Sequence, residues 1–197
     1  ASDLGIHLFS YKEAINMAFD KIKQNDVLSS WYDSFTNQFH KRNVWQYLEV
    51  PEKGCFTDFR KMKVDDEELA MERVFSIGGK TGWYYANFLW KIRGFLDKLI
   101  GGVGLRRGRR NQNELEAGDS VDFWRVLYAN KEEKRLLLFA EMKVPGEAWL
   151  EFYIKNGKLY QEATFRPLGL SGRLYWYSVL PFHGLIFNGM LRKLAGK

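Results

Sequence analysis

The stretch GGVGLRRGRR, residues 101–110, sets Arg106, Arg107, Arg109 and Arg110 behind three glycines. Guanidinium forks grip carboxylates and phosphates bidentately, so anion chemistry is the first thing to test here. The stretch begins like a dinucleotide-binding fingerprint. Arg107 stands where the third glycine belongs, however, and the loop follows a helical pattern instead of opening a helix from a strand. No Gly-Lys-Ser/Thr follows, which removes a P-loop. Three uses remain for the arginines: partners for carboxylates on strands, an anion-selecting rim, or contacts to nucleic-acid phosphates. The first ranks highest. Nucleic acid ranks last, because the neighbouring aromatics read as core residues.

Four carboxylates, Asp122, Glu141, Glu151 and Glu162, fall in apolar or aromatic surroundings. By strand alternation Asp122 shares a face with Trp124, Glu141 with Leu137 and Phe139, and Glu151 with Trp149 and Tyr153. If such a face lines a cavity, a carboxyl among aromatics has its pKa raised and suits general acid or base work. The plainer alternative is a solvent-facing or arginine-neutralised carboxylate, and it ranks ahead. His183 lies in an apolar C-terminal segment. It reads as a proton shuttle or, more plainly, as a core histidine satisfied by one hydrogen bond. Cys55 is the sole cysteine and His7 and His40 are scattered, so no disulfide and no metal set with ligand spacing is expected.

These residues need elements to position them. "SYKEAINMAFDKIKQNDVLSSW" carries apolar residues at helical spacing, and Ser10 with Glu13 forms a capping-box pattern. Residues 37–54 are polar and irregular, with Pro51 and Gly54, which suggests a linker and a boundary near 45. Residues 55–65 alternate as a strand, with Phe56, Met62 and Val64 on one face. "DDEELAMERVFSIGG" predicts a short helix with acids in its first turn and glycines at its end. Residues 82–102 predict a longer helix whose apolar face is Trp83, Phe88, Ile92, Phe95, Leu96 and Leu99. Four strands follow, over 120–129, 134–144, 147–154 and 158–166. Asn156–Gly157 between the last two is a strong hairpin signal. Residues 174–191 are apolar almost all round, but Pro181, His183 and Asn188 interrupt them. A helix buried against a curved sheet fits them better than a membrane span. The whole reads as an α+β chain in the helix-grip order, with further strands expected in 37–54.

Longer runs carry a family resemblance. "IGGKTGWYYANFLWKIRGFLDKLIGGVGLRRGRR", "GDSVDFWRV", "LLLFAEMKVPGEAWLEF" and "ATFRPLGLSGRLYWYSVLPFHGLIFNGM" occur in that order. Over about residues 45–197 the chain resembles a bacterial family of uncharacterised domains. That family is grouped with the START, polyketide-cyclase and birch-pollen-allergen superfamily. The resemblance implies a helix-grip fold: an antiparallel sheet wrapped around a long C-terminal helix, with a helical N-terminal appendage. Such domains usually follow an atypical short-chain dehydrogenase/reductase with an NAD(P)-binding domain. "FSYKEAINMAFDKIKQNDVLSSW" resembles the end of that domain. Residues 1–44 are therefore expected to be its tail plus a linker, in a chain that starts with Ala as a piece of something longer. No strand followed by G-x-G-x-x-G is present, so NAD or NADP is expected only in the parent protein.

The chain carries a formal charge of +6 and aromatics make up 16% of it. Basicity raises anionic membranes and nucleic acid as partners, and aromatic density raises a ligand cavity. The expectation is an accessory domain that binds an apolar or amphipathic small molecule. Arg106, Arg107, Arg109, Arg110, Trp124, Trp149, Tyr153, Tyr175 and Phe182 are its candidate contacts. Weaker catalytic candidates for a cyclase- or isomerase-like enzyme are Asp122, Glu141, Glu151 and His183. Docking to a membrane or a partner ranks third. The presumed partner is the chain's own dinucleotide-binding domain, nucleic acid is not expected, and a lone cysteine fits a cytoplasmic setting.

Overall fold

The computed structural model describes residues 10, 12–13, 48–104 and 114–197. The chain divides into two compact units, Ala1–Trp31 and Tyr32–Lys197. In the first, the capping box is formed. The Ser10 backbone N–H donates to the Glu13 carboxylate at 2.8 Å, and the Glu13 N–H donates to Ser10 Oγ at 3.3 Å. The arginines of 106–110, the helix read over 14–36, and His7 and His40 lie outside the described residues.

The second unit opens with strand β1, Phe56–Lys63, and helix α1, Glu67–Phe75. Helix α2, Asn87–Leu99, leads to the short strand β2, Ser120–Val121. Then come β3, Trp124–Asn130, β4, Arg135–Ala140, β5, Gly146–Lys155, and β6, Lys158–Pro167. Helix α3, Gly169–Leu194, closes the chain. The six strands form one antiparallel sheet in the order β1-β6-β5-β4-β3-β2. The chain thus crosses from one sheet edge to the other through α1 and α2, meanders back, and lays α3 across β1 and β6. This is an α+β open sheet that grips its C-terminal helix.

Local chemistry explains most element ends. Asp66 caps α1 by accepting from the Leu69 N–H at 2.9 Å. Asn156 and Gly157 both take positive φ, at 52° and 69°, and Lys155 pairs directly with Lys158 across the turn. A bulge between Val126 and Tyr128 puts Leu127 with the outward residues. Leu138, Leu150, Phe152 and Leu159 pack inward with Phe187, Met190 and Leu191 of α3. On the outer face Leu127, Leu137, Phe139 and Trp149 form a smaller cluster covered by Leu48 and Val50.

Two expectations are corrected. The helix read over 82–102 begins only at Asn87. Gly82, Tyr84 and Ala86 take positive φ, and the Asn87 side chain accepts the Trp83 N–H at 2.8 Å. Trp83 is therefore a core residue and not part of the helix face. Of the 37–54 stretch where further strands were expected, 37–47 lie outside the described residues; 48–54 form no strand, and Leu48 and Val50 pack on the sheet instead of joining it.

The sheet carries a fully buried ion pair. Arg125 on β3 donates through Nε at 3.1 Å and Nη2 at 2.9 Å to Glu141 Oε1, and through Nη1 to the Gly118 carbonyl at 2.6 Å. Both side chains have no exposed surface. Removing one partner from such a pair strands the other charge, at a cost of about 3–5 kcal/mol. Glu141→Gln is expected to lose stability on that scale in urea unfolding, and Arg125→Met with Glu141→Leu to recover most of it. A loss below about 1 kcal/mol for E141Q refutes a structural role for the pair.

Candidate functional site

Between α2, α3 and the inner face of the sheet lies a cavity of about 250 Å³. Its existence follows from side-chain size. Ala148 and Ala163 occupy inward positions on β5 and β6, where neighbouring inward positions hold Leu150 and Phe152. One wall is aromatic: Trp90 stacks on Trp83 at 4.5 Å and on Phe123 at 5.8 Å, with Trp124 beside them. Another is the stack of Trp176 on Phe165 at 5.9 Å. Ile92, Leu96 and Phe182 line the cavity and are also 50%, 49% and 53% exposed, so its mouth opens between α2 and α3.

His183 stands at one end. It meets Trp176 edge-on at 5.3 Å and leans on Phe187 at 4.5 Å. Its Nδ1 makes no hydrogen bond among the described residues and lies 3.8 Å from Asp58 Oδ2. Asp58 is itself held by Arg60, with Nε and Nη2 each 2.8 Å from a carboxylate oxygen. Arg60 Nη1 donates in turn to Asn188 Oδ1 on α3. The polar interruptions of the apolar helix therefore meet a polar pair on the edge strand. Asp58 and Arg60 were missed in the sequence, although strand alternation puts them on the face of Phe56 and Met62. Burial drives the His183 imidazole down to about 4; the Asp58 carboxylate opposes this and Arg60 adds to it.

The remaining candidates scatter. Trp124, Tyr175, Phe182 and His183 line the cavity. Trp149 borders it, but its ring packs on the outer cluster, edge-on to Phe139 at 5.3 Å and beneath Arg166. Tyr153 does not reach the lining; it stacks on Tyr160 at 4.8 Å. None of the three candidate carboxylates lines the cavity either. Asp122 accepts from Trp83 Nε1 at 2.7 Å, Glu141 is held by Arg125, and Glu151 sits 2.6 Å from Arg135 Nε. Glu162, opposite Glu151 in the register, has its carboxyl pushed up by burial and then by the Glu151 charge. Cys55 is half-buried, and burial raises its thiol, the wrong direction for a nucleophile. Arg93, which lines the cavity from α2, was also missed.

The topology and cavity define an α+β helix-grip domain with an apolar pocket under its C-terminal helix. The chain belongs to the family described as "Protein of unknown function (DUF2867)", whose pattern matches residues 52–190. A protein of Pyrococcus abyssi named "Probable translation initiation factor IF-2" is 29% identical over 127 residues, covering 54% of this chain and 13% of that protein. The chain thus spans about an eighth of that relative's length. A solved structure titled "Crystal structure of Ara h 8.0201" aligns with 73% of this chain and all of that one, at 10% identity and a TM-score of 0.36. So loose a likeness says nothing about ligands.

His183 gives the pocket a measurable pH signature. An unfolded chain takes up a proton below the ordinary value of 6.5, while the folded chain refuses it until about 4. The stability linked to this group is therefore whole above about pH 6.5 and drains as pH falls toward 4. Between pH 7 and pH 4.5 the loss is about 2 kcal/mol. Urea unfolding at the two pH values is expected to show a drop about 2 kcal/mol smaller in His183→Gln than in the parent protein. Equal drops in both would show that the imidazole is not held neutral.

Proposed function

We propose that this domain binds an apolar or amphipathic small molecule in the cavity between the sheet and α3. The cavity itself carries the reading: it is built from apolar and aromatic walls, has a few polar groups, and opens at one mouth. On the strength of the family resemblance, the domain serves as an accessory to a cytoplasmic NAD(P)-dependent short-chain-type oxidoreductase. Residues 1–44 are then the tail of its dinucleotide-binding domain, and the nicotinamide cofactor belongs to that domain. Cyclase- or isomerase-like catalysis ranks behind. Asp122, Glu141 and Glu151 have partners outside the cavity, which leaves His183 as the sole candidate base facing it.

Thermal melts with fatty acids, quinones and polycyclic aromatics test binding. A true ligand at a hundred times its Kd adds about 2.7 kcal/mol and raises the melting temperature. Ala148→Phe and Val179→Phe, each of which fills the cavity from a different side, are expected to melt near the parent protein and to lose the ligand-induced shift. No shift with any of the three ligand classes sinks the reading.

A second reading rests on a separate observation. The apolar stripe of α2 faces outward: Phe88, Phe95 and Leu99 are 62%, 63% and 67% exposed. Leu174 and Tyr177 of α3 are also exposed, at 62% and 60%. Cations Lys91, Lys98 and Arg173 accompany them, α3 has no acidic residue, and the one acid of α2, Asp97, is fully buried. No helix among the described residues is long and apolar enough to cross a membrane. An apolar and basic face around the cavity mouth does suit docking on an anionic bilayer, from which a ligand could be drawn. Co-sedimentation with anionic vesicles is expected at low salt, weaker at high salt, and lost in Phe95→Asp. Absence of co-sedimentation at low salt removes this reading and leaves the first intact.

A further inference from the structure

The proposed ligand-binding reading names no head group, and the one arginine among the described lining residues points to one. Each of four arginines on the sheet has a carboxylate: Arg60 with Asp58, Arg125 with Glu141, Arg135 with Glu151, and Arg166 with Glu147. Arg93, on α2, is the exception. It is half-buried and lines the cavity, yet among the described residues it has no ion pair. Its Nη2 lies 2.9 Å from the Met142 thioether, a weak acceptor, and its guanidinium stands 5.6 Å from the centroid of the Tyr175 ring. Asp97, one turn along the same helix, is taken up elsewhere. It accepts from the backbone N–H of Gly104 at 2.9 Å and of Lys143 at 2.7 Å.

The phenol beside Arg93 is a donor as well. Burial raises the Tyr175 phenol, so it keeps its proton and remains a donor. Arg93 and Tyr175 therefore bring a positive charge and a hydroxyl donor to the cavity, and no carboxylate is among the described lining residues. A partly desolvated guanidinium without a counter-charge is costly to keep, and an acceptor-only group of negative charge would complete it.

We propose that the cavity takes an amphiphile with an anionic head, a carboxylate or phosphate monoester, which Arg93 holds while the tail lies over Ala148 and Ala163. The inference depends on the binding reading above but can fail without it. Calorimetric titration at neutral pH with decanoate, decyl phosphate and decanol separates the two. The parent protein is expected to bind at least one of the anions tenfold or more tightly than decanol, and the tighter anion identifies the head. Arg93→Gln is expected to bind decanol within twofold of the parent, which also reports an intact fold, and to lose the anion preference. Arg93→Lys, which keeps the charge without the planar fork, is expected to keep part of it. Equal affinity of the parent for all three ligands, or an anion preference that survives in R93Q, overturns the proposal while the cavity reading stands. If none of the three binds, the cavity reading falls and this proposal with it.

Discussion

The carboxylate of Asp97 is the point on which the pocket depends. It is fully buried, where an unsatisfied carboxylate is not tolerated, and it is answered by two backbone N–H groups from different parts of the chain. One belongs to the loop just after α2, the other to the connection between β4 and β5. The same side chain thus fixes where α2 ends and ties that end to the sheet. The glycines of 101–104 fit this role. A Cβ at position 102 would lie 2.2 Å from Asp97 Oδ1, and Gly104 takes φ of 63° as it presents its N–H. What reads in sequence as a helix stop before an arginine loop is the socket of a buried carboxylate.

Because α2 is anchored through Asp97, Gly94 and Trp90, its buried side is narrow, and its broad apolar stripe is turned outward. A helix seated on that stripe would bury more surface and close the space beneath it. The observed seating leaves room between α2 and α3, and the small side chains of Ala148 and Ala163 extend that room to the sheet. Cavity, mouth and exposed apolar rim are therefore three results of one seating. A stretch of unburied Phe, Ile and Leu has a hydrophobic cost that a plain structural domain has no reason to bear, and a ligand or a surface that covers it recovers that cost.

Local rules were legible in the sequence, and long-range pairings were not. Asp66 before a run of acids, Asn156–Gly157 between alternating strands, and Ser10 with Glu13 each specify geometry within a few residues, and each is found. The order of strand, helices, meander and final helix follows from the same local signals. Periodicity revealed the apolar stripe of α2 but not the direction it faces, since that is decided by Asp97 and by backbone groups up to 46 residues away. The arginines expected to answer the sheet carboxylates, 106–110, lie outside the described residues, and two of those carboxylates have other arginines. Arg125 and Arg135, sixteen residues from their acids, answer them across neighbouring strands. Register brings together single residues far apart in sequence, which no local pattern reveals. Asp58 and Arg60 were overlooked for the converse reason. A charged pair on an inward strand face looks like an interruption until His183 and Asn188 are seen to come down upon it.

The distribution of charge argues for binding over catalysis. A general base in an apolar pocket must be desolvated, within reach of the ligand and free of a competing cation. The buried or half-buried carboxylates Glu141 and Glu151 of the sheet have their arginines, Asp97 has its backbone donors, and Asp58 is clamped by Arg60 at the edge. Burial keeps His183 neutral, yet its ring rests between Trp176 and Phe187 and its Nδ1 has no hydrogen-bond partner among the described residues. Negative charge around the cavity has been answered, and among the described residues one positive charge, Arg93, has been left at its lining without an acid. A site arranged in that way favours holding an anion over removing a proton, because the energy of the unanswered guanidinium is released on binding and drives no later step.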